Sequence, residues 1–404
     1  MRELGDAERR VRLARRHGLA PGHRLPDPVA VTRAMTVLHA TELASVHLAL
    51  HARIDGLAVA DVEAALYDDR ALVKQLAMRR TLFVFPRELL PAAWGSASAR
   101  VATQLAARLV KEVEGAGIAT DGAAWLQAAR AAVLERLSGG QELSAQQLRE
   151  EVPELAGRLD LAPGKSYGAN VPVAPRVLTQ LGVEGALVRG RNDGHWRTSR
   201  PRWTRMDTWL GEVPAALKAD EGYAELVARW LAGFGPGTAA DLQWWLGGTA
   251  TAVRAALTAV GAVEVALEDG STGFVLPDDV AAEPADDLGP EPWAALLPVL
   301  DPTVMGWKDR AFFLGPHGAA VFDSNGNAGT TAWWAGRVVG CWVQDPDGVV
   351  HVDLLEELPA AGREALAVEA ERLTSWLGGT VVNTVYPSPA MKAARARIAA
   401  LQER

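Results

Sequence analysis

One pattern of helices and strands recurs along this chain and limits its fold more than any other feature. The clearest copy runs from about residue 222 to 277. AELVARWLAGF reads as a helix and GPGT as a break; AADLQWWL reads as a second helix, and ATAVRAALTAV as a third after GGT. VEVAL and GFVLP then alternate like two strands around the turn EDGST. Three helices followed by a two-stranded wing is the order of a winged helix, whose third helix ordinarily enters the DNA major groove. A chain built from several such units is suited to holding duplex DNA.

A second copy spans about 121–200. Asp121 is positioned to cap the helix DGAAWLQAARAAVLERL, and Ser144 to cap SAQQLREEV. A third helix is expected to start near Pro175, because proline is tolerated in the first turn. GALVRGR and HWRTSR read as strands joined by Asn192-Asp193-Gly194, residues that accept the positive φ of a tight hairpin turn. This copy carries Arg176 on its third helix and Arg189, Arg191, Arg197, Arg200, Arg202 and Arg205 on or beside its wing. The equivalent third helix of the 222–277 copy has only Arg254. The second copy is therefore expected to meet phosphates, and the 222–277 copy to serve as a packing module. A solvated arginine hairpin with acidic partners is the alternative. A first, less regular copy covers about 27–86, with two helices and one strand expected between Val59 and Pro86. There Lys74, Arg79 and Arg80 precede the apolar run TLFVF.

Charge follows the same division. Residues 1–210 hold 29 Lys and Arg against 23 Asp and Glu, whereas 211–404 hold 12 against 26. The net charge of −8 thus hides a basic half, and nucleic-acid binding follows local charge. No run of about 18 uncharged apolar residues is present, so no spanning helix is expected. The charged start MRELGDAERRVRLARRHGL has no apolar signal core, and a cytoplasmic monomer is expected. Cys341 is the single cysteine, which excludes an internal disulfide. After an acidic, proline-containing linker at about 281–292, short apolar runs and the turns Asn325-Gly326 and Asp347-Gly348 predict a small β-barrel. A helix, a last strand TVVNTVY and a basic tail helix follow it.

The chain has no phosphate-cradling loop, no dinucleotide fingerprint, no His-Glu-x-x-His and no Gly-x-Ser-x-Gly. Three of its eight histidines fall within thirteen residues: His39, His47 and His51. His47 and His51 are i, i+4 on one helix face, but a third metal ligand is missing, so no metal is expected. His39 and Thr41 point to opposite sides if the segment is helical and to the same side if it is extended. In the extended case Glu42 can join them. Histidine, with an ordinary pKa of about 6.5, can position or activate a water. The other reading makes His39 a packing or capping residue at a helix junction.

The segments VLHATE near the start, MRRTLFVFP at 78–86, AGFGPGTAADLQWWLG at 232–247, LDPTVMGWKDR at 300–310 and FDSNGNAGTTAWWAGRVVG at 322–340 carry a resemblance. The chain resembles the bacterial winged-helix DNA glycosylases that excise bulky alkylated purines, including cross-linked ones. The likeness covers nearly its whole length. It implies three tandem winged helices and a C-terminal β-barrel forming a C-shaped clamp on DNA, and base excision without a metal. The family's catalytic motif, Gln-x-Gln or Gln-x-Asp, falls where this chain has His39-Ala40-Thr41. His39 can hold a water as glutamine does. Thr41 can orient it but supplies neither an amide nor a carboxylate. Glu42 is then the carboxylate nearest in sequence to balance charge on the sugar.

These readings converge on an α+β protein with four domains: N-terminal helices and a first winged helix at 1–120, a second winged helix at 121–215, a third at 216–280, and a barrel at 281–404. The expected function is a monofunctional glycosylase acting on N7- or N3-alkylated purines in double-stranded DNA, needing no cofactor. Self-protection of a bacterium that makes a DNA-alkylating product is one setting that fits. Its catalytic candidates are His39, Thr41 and Glu42. Its DNA-binding candidates are Lys74, Arg79, Arg80, Arg176, Arg189, Arg191, Arg197, Arg200 and Arg202. Two alternatives belong to other classes. One is a non-catalytic DNA-binding lesion sensor or regulator; the other is a small-molecule binder using Trp333, Trp334 and Trp342.

Overall fold

Local capping chemistry decides where the helices of the basic repeat begin. Asp121 accepts a hydrogen bond from the Ala124 N–H at 2.9 Å and starts helix Gly122–Arg136. Ser144 and Gln147 form a reciprocal capping box that starts helix Ala145–Glu151. The computed structural model describes residues 1–161, 169–281 and 292–402. The expected linker at 281–292 lies, but for its ends, outside them. The architecture is mixed α+β with small sheets, in two units: Met1–Val62 with Ala224–Arg404, and Glu63–Tyr223.

Within Glu63–Tyr223, strands Leu72–Leu76 and Leu82–Pro86 form an antiparallel hairpin with Leu76 opposite Leu82. The first of these strands was expected to be helical. Residues 72–75 are buried on both faces of the strand, and pairing with Leu82–Pro86 satisfies its backbone. The long helix Ala97–Gly115 follows, then helices Gly122–Arg136, Ala145–Glu151 and Ala174–Val183. A three-stranded sheet has the order Leu143–Ser144, Pro201–Arg205, Leu187–Asn192. Val133, Leu148, Leu155, Val177, Leu178 and Leu181 are buried together in the core of this unit. Each such side chain contributes about 1.5–3 kcal/mol by leaving water.

Two details depart from expectation. A short hairpin, Arg158–Leu161 with Ala169–Pro172, lies between the second and third helices. The stretch HWRTSR is a loop, and the second wing strand begins only at Pro201. Asn192 is the reason. Its side chain accepts from the Arg200 N–H and donates to the Thr198 carbonyl, taking the place of ladder partners.

Within the other unit, helix Asp6–Arg16 buries Arg12, which pairs with Glu8 at 3.0 Å and Asp279 at 2.8 Å. Strand Glu3–Leu4 runs parallel to Val263–Leu267. That strand pairs with Thr272–Val275, which in turn pairs with Gly237–Thr238. Helices Ala239–Leu246 and Ala250–Ala259 sit between these strands in sequence, as the repeat predicts. The four C-terminal strands, Ala294–Leu297, Thr331–Trp334, Arg337–Gln344 and Val350–Leu354, are antiparallel in that order.

The expected barrel is not formed. A barrel needs its first and last strands hydrogen-bonded. Here helix Ala360–Leu377 instead packs on both edge strands, Ala294–Leu297 and Val350–Leu354. The expected last strand is also absent, because 380–386 is not in any sheet. Its backbone bonds to side chains instead: Val382 N–H donates to Gln344 Oε1 at 2.9 Å, and Val385 N–H to Glu42 Oε1 at 2.7 Å. Strand propensity yields to such local acceptors.

Candidate functional site

Helix Pro28–Ala34 is capped by Asp27, which accepts from the Ala30 N–H at 2.8 Å. It ends abruptly at Thr36, a buried β-branched residue with φ of 62°. Such a conformation costs of order 1–3 kcal/mol and persists only where its surroundings over-determine it. Beyond it the chain is extended at Leu38–His39 and bends at 41–42. The segment is therefore not helical, but the strand ends at His39 and Thr41 lies in the bend, so the same-side pattern of an extended run does not reach Thr41. His39 is buried, with 5% of its surface exposed, Ala40 is buried, and Thr41 is exposed.

Glu42 is the N-cap residue of helix Leu43–His51, but its side chain makes no capping hydrogen bond to that helix. Its Oε1 accepts from Thr384 Oγ1 at 2.9 Å and from the Val385 N–H at 2.7 Å. Burial holds its pKa above the ordinary carboxylate value, while these two hydrogen bonds pull it back down. This oxygen joins two stretches separated by more than 340 residues, so no sequence spacing announces the contact. A cavity of about 20 Å³ beside it is lined by Glu42, Ser45, Trp342, Gln344, Thr384 and Arg395, among others.

The two other histidines have packing roles. His47 Nδ1 donates to the Leu43 carbonyl at 3.2 Å. His51 stacks on Trp376 at 4.6 Å, and burial, then Arg372 and Arg24, push its pKa down to about 3. Among the described residues, no group of three or more histidine, cysteine or acidic side chains is gathered to hold a metal.

Much of LDPTVMGWKDR also has a packing role. Arg53 and Asp301 form a fully buried bidentate pair at 2.7 and 2.9 Å, and Arg53 donates further to Thr303 Oγ1 and the Ala49 carbonyl. Trp307 lies among Phe234, Trp230, Phe312 and Phe313, with centroids 5.1–6.2 Å apart. Trp333 and Trp342 are core as well. The Trp333 indole N–H donates to Thr331 Oγ1 and that of Trp342 to the Leu297 carbonyl, both at 2.8 Å. Trp334, half-buried, packs on Gly362. The Trp333 and Trp342 indoles are thus buried with their N–H groups satisfied inside the protein, Trp342 also bordering the cavity of about 20 Å³, which is too small for a ligand.

The basic candidates lie in the other unit, except that Lys74 is not at its surface. Lys74 is buried, its Nζ 2.9 Å from Tyr67 Oη, and burial together with Arg189 pulls its pKa down to about 7. A buried amine engaged by Tyr67 Oη and the Gly190 carbonyl is not poised to meet a phosphate. Sequence could not separate it from its neighbours, because burial of an edge-facing lysine depends on Tyr67 and Gly190 lying over it. Arg79 is half-buried and Arg80 exposed. Both have positive φ, 54° and 57°, in the tip of the hairpin 72–86. Arg176 is half-buried, 3.7 Å from Glu112. Arg189 is half-buried with its guanidinium 4.9 Å from the Trp203 ring centroid, and burial lowers its pKa to about 10. Arg191 is exposed, paired with Asp68 and set over the Tyr67 ring at 5.2 Å. Arg197 and Arg200 are exposed in the loop 193–200. Arg202 is exposed and pairs with Asp193 at 2.6 Å. Tyr67, which meets both Lys74 and Arg191, organises this face and was not singled out from sequence.

No helix among the described residues is long and apolar enough to cross a membrane. A family model described as DNA glycosylase AlkZ-like matches residues 32–376 of the 404. No curated protein matches the sequence. Among solved structures, the chain is similar to Streptomyces sahachiroi DNA glycosylase AlkZ, with a TM-score of 0.70 at 19% identity, over 95% of this chain and 98% of that one. At that identity the likeness is one of fold.

Proposed function

The chain belongs to the AlkZ-like DNA glycosylase family, and from this premise we propose that it hydrolyses the N-glycosidic bond of N7- or N3-alkylated purines in duplex DNA. We read its three runs of helix, strand, two helices and hairpin as winged helices. An alkylated purine is cationic and already a good leaving group. The protein need only hold a water and favour the cationic sugar, a task of electrostatic positioning that calls for no cofactor. His39 holds the water and Thr41 orients it. Glu42, with Oε1 committed to Thr384 and Val385, fixes the segment that carries them. Arg79, Arg80, Arg176, Arg189, Arg191, Arg197, Arg200 and Arg202 meet the phosphate backbone. Neutralisation by these side chains supplies the salt-dependent part of affinity.

The observation that carries this reading is the non-helical run from Leu38 to Glu42, inside the family-matched span, with Thr41 exposed at its bend. A duplex carrying one N7-alkylguanine, incubated with the protein and then heated in alkali, tests it. Strand breaks are expected from the wild type, with His39→Ala slower by about a hundredfold or more. No break above the His39→Ala level removes the enzymatic reading. The second reading, a DNA-binding protein without catalysis, is favoured by the burial of His39. It requires salt-dependent duplex binding with no base released.

A further inference from the structure

Val385 is 76% exposed, and among the described large apolar side chains only the terminal Met1 is more so. A single exposed valine ordinarily needs no explanation. This one sits on a braced segment. On its N-terminal side, Val382 N–H is held by Gln344 Oε1, and Gln344 Nε2 donates to the Thr380 carbonyl at 3.0 Å. Its own N–H is held by Glu42. On its C-terminal side, Tyr386 N–H donates to Thr384 Oγ1 at 2.9 Å, and Ser388 caps helix Pro389–Gln402 through the Met391 N–H. The backbone is thus fastened on both sides of an apolar tip. The fastening residue, Glu42, is adjacent in sequence to exposed Thr41.

Enzymes acting on a base inside a duplex must take it out of the stack. Proteins that open base steps insert apolar side chains held on rigid backbone. We propose that Val385, followed in sequence by half-buried Tyr386, is a wedge that enters the base stack beside the lesion while Glu42 holds its backbone to the segment that carries His39 and Thr41. This role rests on the glycosylase reading above. It makes Val385 a DNA-contacting residue that acts on stacking and leaves bond cleavage to the motif.

The test compares one N7-alkylguanine lesion in a duplex and in a single strand, under single-turnover conditions, with the full chain. Val385→Ser is expected to slow excision from the duplex about tenfold or more, and from the single strand less than twofold, because the single strand needs no unstacking. Tyr386→Leu is expected to act in the same direction, more weakly. Duplex excision at the wild-type rate by Val385→Ser overturns the wedge, as does an equal loss on both substrates. If the wild type releases no base from either substrate, the glycosylase reading is what fails. The wedge is then decided by 2-aminopurine fluorescence in a bound mismatched duplex. A rise with wild type that Val385→Ser abolishes sustains the wedge, and no rise with either overturns it.

Discussion

Apart from the added hairpin Arg158–Leu161 with Ala169–Pro172 in the first, the runs 122–205 and 219–275 share one order of elements and differ in charge and in what covers their edges. In each, a short strand before the second helix pairs with the last strand of a two-stranded wing. The wing at 187–205 carries six arginines and one aspartate; that at 263–275 carries Glu264, Glu268, Asp269 and no basic residue. The acidic copy also takes on a fourth strand, Glu3–Leu4, along the outer edge of its wing. Its second-helix cap is buried and shared. Asp241 serves Thr238 within the capping box and also accepts from the N–H groups of Lys308 and Asp309. The corresponding cap in the basic copy, Ser144, is at the surface and serves only its own helix. The same backbone plan presents a cationic surface where its outward positions are arginine, and is a packing block where its edges and caps are occupied by other parts of the chain.

Three changes would break or sharpen this contrast. The largest effect is expected from reversing charge on the basic wing. Arg191, Arg197, Arg200 and Arg202 changed together to Glu should weaken duplex binding about a thousandfold at low salt and flatten its salt dependence. Glu264→Lys and Arg254→Ala on the acidic copy should change it by less than about threefold. Fluorescence anisotropy across a salt series measures both, and equal effects on the two copies would end the contrast. Next is the cap. Asp241→Ala strands four donors and should destabilise its unit by roughly 2–4 kcal/mol, against about 1 kcal/mol for Ser144→Ala. Urea unfolding compares them. The smallest concerns Lys74. Its pKa near 7 in the folded chain lies far below the unfolded value, so the unfolded chain binds more protons and stability rises with pH. Between pH 6 and 8 the gain is about 1.4 kcal/mol, and Lys74→Met should abolish that part of the slope.

The helices of both copies were legible because apolar spacing and cap residues are local signals, and Asp121, Ser144 and Thr238 cap where such signals fall. The barrel was not legible. Alternating runs and Asn-Gly or Asp-Gly turns specify antiparallel hairpins, but whether the outer strands meet or take a helix across them is a long-range matter. TVVNTVY failed as a strand for a related reason: Gln344 and Glu42, distant in sequence, accept the hydrogen bonds a neighbouring strand would have taken. At the candidate site, the resemblance pointed to His39 and Thr41. The commitment of Glu42 to residues 384–385 and the withdrawal of Lys74 behind Tyr67 left no trace in spacing.

From residue order alone came the repeated modules, their helix starts and the division of charge between the halves, because periodicity, capping and net charge are properties of short windows. Packing alone settled which cations face water, which motif residues became buried ion pairs such as Arg53–Asp301, and what braces the run from His39 to Glu42. Those outcomes depend on desolvation and on partners hundreds of residues away, and a buried charge keeps its place only where such a partner meets it.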